Sequence, residues 1–476
     1  MRAFLAQFRP SAQPPMTRQS YSRELVTAAT MPVALSLMEG TVVGVLAKKA
    51  FDAPPLVFAA IMSAPMFANL TSFLWAHWAR GRRKVPFINL LQLCTLASVA
   101  LVAVLPTTPA GALILMLLVT ITRCLMAGIV TLRSTVWRHN YPRAVRASVS
   151  GRLANVASVV IAVVPMLGYN LLDRDPQAFR DVYPAAVVVA LVGVWSFSRV
   201  RLRGERAILR EERRPTATPQ PHGDTGSVYE VDSLDNSTFW DVLRRDHFFR
   251  SYMIWQFVAG SANMASETII IYLLATITEG LVLDLGSGGV SVEYAVTILL
   301  SNTVPMLVAA VVMPRWARIQ DRMHNAQFRT YHACSRVADQ LLNWVGALVW
   351  FTTGNVVAAL AVIAVARVVQ GVARAGGMLA WNLGHNDFAS RRLVALYMGI
   401  HVTLTGIRGA IVPFVATLLY LGPAGVGLPA GLVPEALRGG VGSSIFLVTA
   451  AAAIASEFGF RRLGRSVRRQ AASTVD

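Results

Sequence analysis

The stretch Arg367–Pro413, RVVQGVARAGGMLAWNLGHNDFASRRLVALYMGIHVTLTGIRGAIVP, has a diverged copy earlier in the chain, at Arg123–Pro165. Each copy contains an apolar segment interrupted by arginine, a short basic connection and a second apolar segment that carries glycine and proline. The offset is 244 residues before the connection (367 − 123) and 248 after it (413 − 165). The aligned pairs are Arg123 with Arg367, Trp137 with Trp381, Gly151 with Gly399 and Pro165 with Pro413. Two such copies predict a membrane protein that is built from two parallel halves.

The composition also indicates a chain that faces lipid. Of the 476 residues, 54% are hydrophobic and 14% are charged, and the mean hydropathy is +0.51. A soluble core does not bury so much apolar surface. The net charge of +19 comes from arginines that cluster in short links between apolar runs, which the positive-inside rule explains better than nucleic-acid binding. Cys94, Cys124 and Cys334 show no metal-ligand spacing, so we predict that they serve packing and that no metal is bound.

Apolar windows long enough to span a bilayer recur twelve times along the chain, which predicts an all-α integral membrane protein with six segments in each half. The predicted segments of the first half are Leu25–Ala47, Leu56–Trp78, Val85–Leu105, Ala110–Leu132, Val149–Leu172 and Val182–Val200. Those of the second half are Tyr252–Ile277, Val290–Met313, Ala333–Thr353, Val356–Ala380, Leu393–Leu421 and Gly442–Phe460.

The charges of the links between segments predict the orientation. Five alternate links, from ARGRRK after segment 2 to SRR after segment 10, are basic, whereas the opposite links carry acidic or mixed charge, with Lys48 and Lys49 as the exception. We therefore place both termini and the central linker in the cytoplasm. The predicted parts are a tail at 1–24, a first half at 25–200, a linker at 201–250, a second half at 251–460 and a tail at 461–476. Because arginine greatly outnumbers lysine, we expect a GC-rich bacterial source and hence the bacterial cytoplasmic membrane.

This architecture, six plus six segments with a long cytoplasmic linker, resembles the major facilitator superfamily over almost the entire chain. The link after segment 2 keeps Gly81, Arg82 and Arg83 of the family's D-R-x-G-R-R type motif, with Trp78 in the place of the aspartate. The matching link in the second half keeps Asp321 and Arg322. The residues Arg367, Gln370 and Gly371 look like the family's Arg-x-x-Gln-Gly motif, here in segment 10. The Gly-Pro signature of antiporters is not intact around Pro165.

Two carboxylates and two arginines lie inside predicted segments at repeat-related positions, Glu39 with Glu267 and Arg123 with Arg367. A charged side chain in the hydrocarbon region costs at least about 2.5–3.5 kcal/mol, so it faces a cavity or a partner. One hypothesis is that the carboxylates face a central cavity and bind a proton, a cation or a basic part of a substrate. The other is that each carboxylate forms an ion pair with the arginine of a neighbouring helix. The arginines themselves suit an anionic substrate, the carboxylates or lipid headgroups.

Two further groups of polar residues are candidates for the transport path. Substrate-cavity candidates are Trp255, Gln256 and Asn263 in segment 7 and His401 and Arg408 in segment 11; packing and interhelical hydrogen bonds are the alternative for each. Cytoplasmic gate candidates are Gly81, Arg82, Arg83, Asp321, Arg322, Arg374, Trp381 and Asp387.

The sequence has no phosphate-binding loop, nucleotide fingerprint or nucleophile constellation, so it predicts neither an enzyme nor a bound cofactor. Its architecture instead predicts a secondary transporter of a small organic solute that works by alternating access and is coupled to protons. The alternatives are an uncoupled facilitator and a transporter-like membrane receptor or scaffold. The expected partners are the solute, protons and the lipid bilayer, with no nucleic acid, and the expected state is a monomer.

Overall fold

The computed structural model describes residues 9–213, 239–284, 289–320, 322–388, 394–427 and 439–473. Within these ranges ten helices are long and apolar enough to cross a membrane. In the first half, the helices are α1 Arg18–Leu37, α2 Gly40–Lys49, α3 Pro55–Asn69, α4 Ser72–Trp78, α5 Lys84–Leu101, α6 Pro109–Asn140, α7 Arg143–Leu172 and α8 Phe179–Ser198. The linker contributes α9 Glu205–Arg213 and α10 Phe239–Arg245. In the second half they are α11 His247–Ile277, α12 Glu293–Ile298, α13 Val304–Gln320, α14 Asn325–Thr353, α15 Val356–Leu383, α16 Val394–Gly425 and α17 Ile445–Ser473.

Helices dominate because a chain in hydrocarbon has to satisfy its backbone hydrogen bonds internally. Several helix starts are set by side-chain caps, which satisfy free N–H groups of the first turn. The Thr108 hydroxyl accepts from the N–H of Gly111 at the start of α6, and Asp246 caps α11 in the same way. At the other end, Gly354 terminates α14 in the left-handed conformation, with φ of 65°, which suits a residue without Cβ.

The first predicted segment is not one continuous helix. It divides into α1 and α2, and Glu39 lies between them with extended backbone (φ −64°, ψ 136°). The Arg123 guanidinium donates to the Met38 carbonyl (2.6 Å) and to the Glu39 carboxylate (2.9 Å) at this break. The prediction of an unbroken helix over Leu25–Ala47 is therefore wrong at Glu39, because a side chain from a distant helix satisfies backbone groups that the helix leaves free.

Other predicted boundaries also change. The second segment divides into α3 and α4, and the eighth contains a π-helical turn, Leu299–Thr303, between α12 and α13. A short antiparallel hairpin, β1 Val282–Asp284 paired with β2 Gly289–Ser291, precedes α12, so the described chain is helical apart from this pair of strands. Helices α1, α14 and α17 extend beyond their predicted segments into polar sequence, where hydropathy gives no signal.

The two halves meet along α3 and α16. A Cβ at Gly409 would lie 2.2 Å from the Cβ of Met66, and one at Gly406 would lie 2.7 Å from Leu70. These glycines therefore let the two helix backbones approach closely, as small residues do in membrane bundles.

A second set of contacts joins the halves at the end of the bundle that holds Lys49, Asp173 and Glu293, which we call the far end. Lys49 forms a 3.0 Å salt bridge with Glu293. The Asp173 carboxylate accepts the backbone N–H groups of Tyr294 (2.8 Å) and Ala295 (2.9 Å). It thus caps the N-terminus of α12, where a negative charge is favoured. Helices of the first and second halves are therefore fastened together at the far end.

The opposite end, which we call the basic end, contains residues 80–84 and 199–206. Here the linker helix α9 packs against the connection after α4. Glu212 accepts from the Gly81 N–H (2.8 Å) and from Lys84 Nζ (2.7 Å), and Arg83 forms a 3.2 Å salt bridge with Glu205. The start of the linker is therefore structured and bound to the first half, whereas residues 214–238 lie outside the described ranges.

Candidate functional site

A buried charge cluster occupies the middle of the second half, where α11, α14 and α15 meet. Arg367 is fully buried and donates to Glu267 (3.2 Å) and to Asp339 (2.8 Å). Gln370, one turn further along α15, also donates to Glu267, at 2.5 Å. A buried guanidinium is tolerated when it is paired and hydrogen-bonded in this way.

The first half has a related but simpler pair. Arg123 donates to Glu39 at 2.9 Å, and the Glu39 side chain keeps 32% of its surface exposed. Both residues line a cavity of about 210 Å³ between α1, α5, α6 and α7. Glu39 therefore combines the two arrangements expected from the sequence, because it is paired with an arginine and also faces a cavity. Glu267 is in the ion pair with Arg367. In the described residues it lines neither this cavity nor the cavity of about 460 Å³ that is described next.

A cavity of about 460 Å³ lies among helices of the second half and opens against α3 of the first half. Its walls come from α11, α14, α15, α16 and α17, together with Met66 and Asn69 of the first half. We call it the main cavity. Its size and mixed polar and apolar lining are those of a pocket for a small organic molecule.

Three of the five predicted cavity residues line the main cavity, namely Gln256, Asn263 and Arg408. The Arg408 guanidinium donates to the Gln256 carbonyl at 2.9 Å. Trp255 does not line it; its ring packs against α17, where a Cβ at Gly459 would lie 2.0 Å away. Consecutive helical residues point about 100° apart, and here Gln256 faces the cavity while Trp255 faces α17. His401 is fully buried beside the cavity wall, with its ring centroid 5.4 Å from that of Trp381.

The gate candidates of the first half lie among the residues that define the basic end, next to the linker helix α9. Gly81 has a φ of 69° and bonds to Glu212 of the linker helix. The Arg82 guanidinium lies over the Phe87 ring at 5.6 Å. With the Arg83 salt bridge described above, all three residues contact the linker or α5.

The gate candidates of the second half divide into two groups. Arg374 and Trp381 line the main cavity. Asp387 instead accepts the backbone N–H of Asn325 (2.6 Å), which ties the end of α15 to the start of α14. Arg322 is exposed beside this contact, and Asp321 lies outside the described residues.

Helix α14 carries functional candidates that the sequence analysis did not single out. Arg329, His332, Arg336 and Asp339 recur every three or four residues, and the first three line the main cavity. This spacing places them on one helical face. The polar periodicity was therefore the signal that could have identified them.

A second unpredicted group surrounds the Glu24 carboxylate, which is fully buried in α1. It accepts from Arg133 (3.1 Å), Trp137 (2.5 Å) and the Tyr141 hydroxyl (2.8 Å). Burial, and then the Glu24 charge, raise the pKa of Tyr141, which follows the end of α6. The group fastens α1 to α6 near the basic end. These three hydrogen bonds to one carboxylate indicate a structural role.

The pKa of the Asp173 carboxyl group at the far end is also shifted. Burial raises the pKa of Asp173 above its ordinary value of 3.8, although its two backbone N–H partners favour the charged form. This contact between the halves therefore becomes less favourable as the pH rises through the pKa of Asp173 in the folded protein.

The fold is shared with solved transporters. The structure superimposes on the nucleoside transporter NupG with a TM-score of 0.61 and 10% identity, covering 94% of this chain and 99% of that one. A POT family transporter in complex with 5-aminolevulinic acid gives a TM-score of 0.65 and 12% identity, covering 94% and 96%. A D-xylose-proton symporter gives 0.59 and 10%, covering 93% and 96%. At these identities the likeness establishes the fold alone.

The sequence itself carries the family assignment. No curated protein matches the chain at a significant level. The family model of the Major Facilitator Superfamily, however, matches residues 27–336, which is well over half of the chain. The protein therefore belongs to the Major Facilitator Superfamily, a family of membrane transporters.

Proposed function

We propose that this protein is a secondary active transporter that moves a small organic solute across the bacterial cytoplasmic membrane, coupled to protons. The observation that carries the proposal is the pair of repeat-related intramembrane ion pairs, Glu39 with Arg123 and Glu267 with Arg367. A proton that binds either carboxylate removes its charge and weakens its bond to the arginine. Such a change can couple protonation to the orientation of the helices.

The proposed architecture has twelve spanning segments in two parallel halves. Ten are the long apolar helices, and the other two are the α3–α4 pair and α14, whose charged face lowers its hydropathy. Both termini and the linker lie in the cytoplasm, at the basic end. The far end, fastened by Lys49, Asp173 and Glu293, then faces outward. This arrangement corresponds to a state in which the main cavity is closed to the outside.

Alternating access follows from this geometry. The two halves rock about the α3–α16 contact, so that the far-end contacts break when the basic end closes. Docking of α9 on the connection after α4 moves the linker with the first half. We expect the monomer to be the functional unit.

An uncoupled facilitator is the second candidate, and the same ion pairs support it in another way. Because both carboxylates are already held by arginines, they can serve structure alone. The reaction cycle would then need no proton. The third possibility, a receptor or scaffold, predicts a folded protein without solute flux.

The test begins with a thermal-shift screen of the detergent-purified protein against small metabolites, because a ligand that binds the folded state stabilises it by mass action. Each hit is then assayed for flux in proteoliposomes with and without a pH gradient, for the wild type, Glu39→Gln and Glu267→Gln. Flux that is driven by the gradient and uncoupled in either variant supports the proposal. Flux that ignores the gradient identifies a facilitator, and absence of flux for every binding solute identifies a receptor or scaffold.

A further inference from the structure

Four arginines line the main cavity. Arg329 and Arg336 come from α14, Arg374 from α15 and Arg408 from α16. No aspartate or glutamate belongs to its lining in the part of the chain that the structure describes. Arg374 and Arg408 were candidates from the sequence, but the meeting of four arginines was not predicted.

Several of these guanidinium groups have donors that remain unused. Only 5% of Arg408 and 6% of Arg329 is exposed, and the Nε atom of each has no hydrogen-bond acceptor in the described structure. The Nη1 atom of Arg336 is in the same situation. Buried donors without acceptors are costly, and native proteins keep few of them without a functional reason. The cavity therefore offers unfilled positions for an acceptor.

The surrounding backbone leaves room for the guanidinium groups. Arg408 lies against Gly260 of α11, where a Cβ would come within 1.9 Å of its Nη1 atom. Arg336 lies against Gly377 of α15, where a Cβ would come within 2.8 Å of Nη2. Two glycines on separate helices thus make space for two arginine head groups, which indicates a built site rather than side chains that fill a void.

The charges of the region do not balance. The arginines are the four in the lining and Arg367 behind it, and the carboxylates bonded to them are Glu267 and Asp339. Five positive groups and two negative ones leave an excess of three positive charges (5 − 2). Glu39 lies close enough to Arg374 to act on it, but Glu39 is already paired with Arg123. Like charges in a medium of low dielectric constant repel strongly, so this excess calls for anionic charge from outside the protein.

The other residues that line the main cavity indicate which groups the rest of the ligand carries. Apolar and aromatic surface comes from Met66, Met264 and Trp381. Amide groups that can bond to uncharged polar atoms come from Asn69 and Asn263. The cavity of about 460 Å³ has the volume of a pocket for a small organic molecule.

We propose that the main cavity binds a small organic anion with at least two acidic oxygen groups, either carboxylates or a phosphate monoester. This inference rests on the proposed transport function, whose substrate class it names. Arginine suits both ligand groups because its planar donors match two oxygens at once.

The test measures thermal stabilisation of the purified full-length protein by matched probes at millimolar concentration. The anions are succinate, citrate and glucose 6-phosphate; the counterparts are glucose, which is neutral, and putrescine, which is cationic. We expect at least one anion to stabilise the protein, with an effect that weakens as salt is added, and glucose and putrescine to have no effect. Stabilisation by glucose or putrescine but by no anion overturns the proposal, as does the absence of any shift with all three anions.

Variants locate the binding. Arg336→Gln and Arg408→Gln each remove one charged donor, which weakens the binding of the active anion about 10- to 100-fold. Gly260→Ala and Gly377→Ala keep every charge but displace one guanidinium, so we expect a similar loss from a different cause. Arg318→Gln, which removes an exposed charge of α13 outside the cavity, is the matched control and leaves affinity unchanged. Equal affinity in all five proteins contradicts the assignment.

Two further arms separate the sources of anionic charge and the two proposals. Nanodiscs that contain phosphatidylglycerol test whether a lipid headgroup fills the site. If this lipid prevents the binding of citrate and glucose 6-phosphate at all concentrations of these anions, the soluble-anion proposal is overturned. A cavity anion that binds but is not transported contradicts the proposed transport function and leaves the inference standing. Transport of a neutral solute at a rate that the arginine substitutions do not change contradicts the inference and leaves the proposed transport function standing.

Discussion

At the residue scale, the repeat in the sequence identified four charged groups that the structure brings together in pairs, Glu39 with Arg123 and Glu267 with Arg367. These residues could be identified from the sequence because a single charged residue in an apolar run is conspicuous. Asp339 could not be identified in this way, because it lies on a polar helix face where its sequence context resembles that of a solvated residue. Only the approach of α15 to α14 reveals that Asp339 shares Arg367 with Glu267.

This sharing leads to a prediction for Asp339→Asn. The substitution removes one of two carboxylates from a buried arginine, and we expect the free energy of unfolding in detergent to fall by about 2 kcal/mol, less than loss of a sole partner, because Glu267 remains. Denaturant unfolding measures the change. Arg461→Gln, which breaks a long and half-exposed pair with Glu457 (3.9 Å), is the control and changes stability by less than about 1 kcal/mol. Equal effects of the two substitutions would contradict the buried network.

The Asp173 carboxyl gives a pH prediction. Its pKa is raised in the folded protein because burial disfavours the charged form, so its favourable contribution is present below the ordinary value of 3.8 and is lost as the pH rises through the folded value. Asp173→Asn has no such dependence. The wild type therefore loses stability relative to the variant as the pH is raised from about 4 towards neutrality.

Thermal unfolding of both proteins across that pH range checks this prediction. The difference between their Tm values isolates Asp173 from the other acids, which titrate equally in both. A difference that is constant with pH, or that grows in the opposite direction, would show that Asp173 is not buried against α12.

At the scale of elements, the sequence predicted where apolar helices lie but not where they break. Hydropathy averages over Glu39 and the turn at Leu299–Thr303, because each interruption is short and apolar on both sides. The helix extensions at polar ends were missed for the opposite reason, since nothing apolar marks them. Interruptions that depend on a distant partner, such as Arg123 at the break, are beyond any local pattern.

The linker helix α9 supports a prediction at the same scale. Glu212→Gln removes the negative charge that holds Lys84 and weakens the bond to Gly81, so α9 should detach more often. We expect amide hydrogens of 205–213 to exchange about tenfold faster. Arg206→Gln changes an exposed charge on the same helix and serves as the control. Unchanged exchange in Glu212→Gln would mean that other contacts hold the helix.

At the scale of the whole molecule, the family assignment and the helical membrane fold are confirmed, whereas twelve segments in two parallel repeats stay a prediction. The main cavity did not follow from the repeat, because its four arginines come from three helices of one half. Which faces of distant helices meet is decided by packing, and one sequence does not record it.

The far-end contacts allow a direct test of rocking between the halves. Cysteines at positions 49 and 293, in a background with Cys94, Cys124 and Cys334 replaced by serine, can be joined by a short reducible cross-linker. We expect the cross-link to abolish flux, and reductant to restore it, while ligand stabilisation through the main cavity persists. Full flux in the cross-linked protein would contradict alternating access, and each single-cysteine variant controls for the reagent.

The uncompensated arginines of the main cavity also have an electrical consequence. An empty cavity carries an excess of positive charge, whereas a cavity that holds a dianion or trianion is nearly neutral. The loaded carrier then crosses the membrane field with little electrical work, and the empty carrier moves charge, at about 2.3 kcal/mol per charge for each 100 mV. A negative interior would draw the empty cavity inward. The resting voltage of the cell would thus set the side on which the unloaded transporter waits, and currents recorded on supported membranes would report its return step.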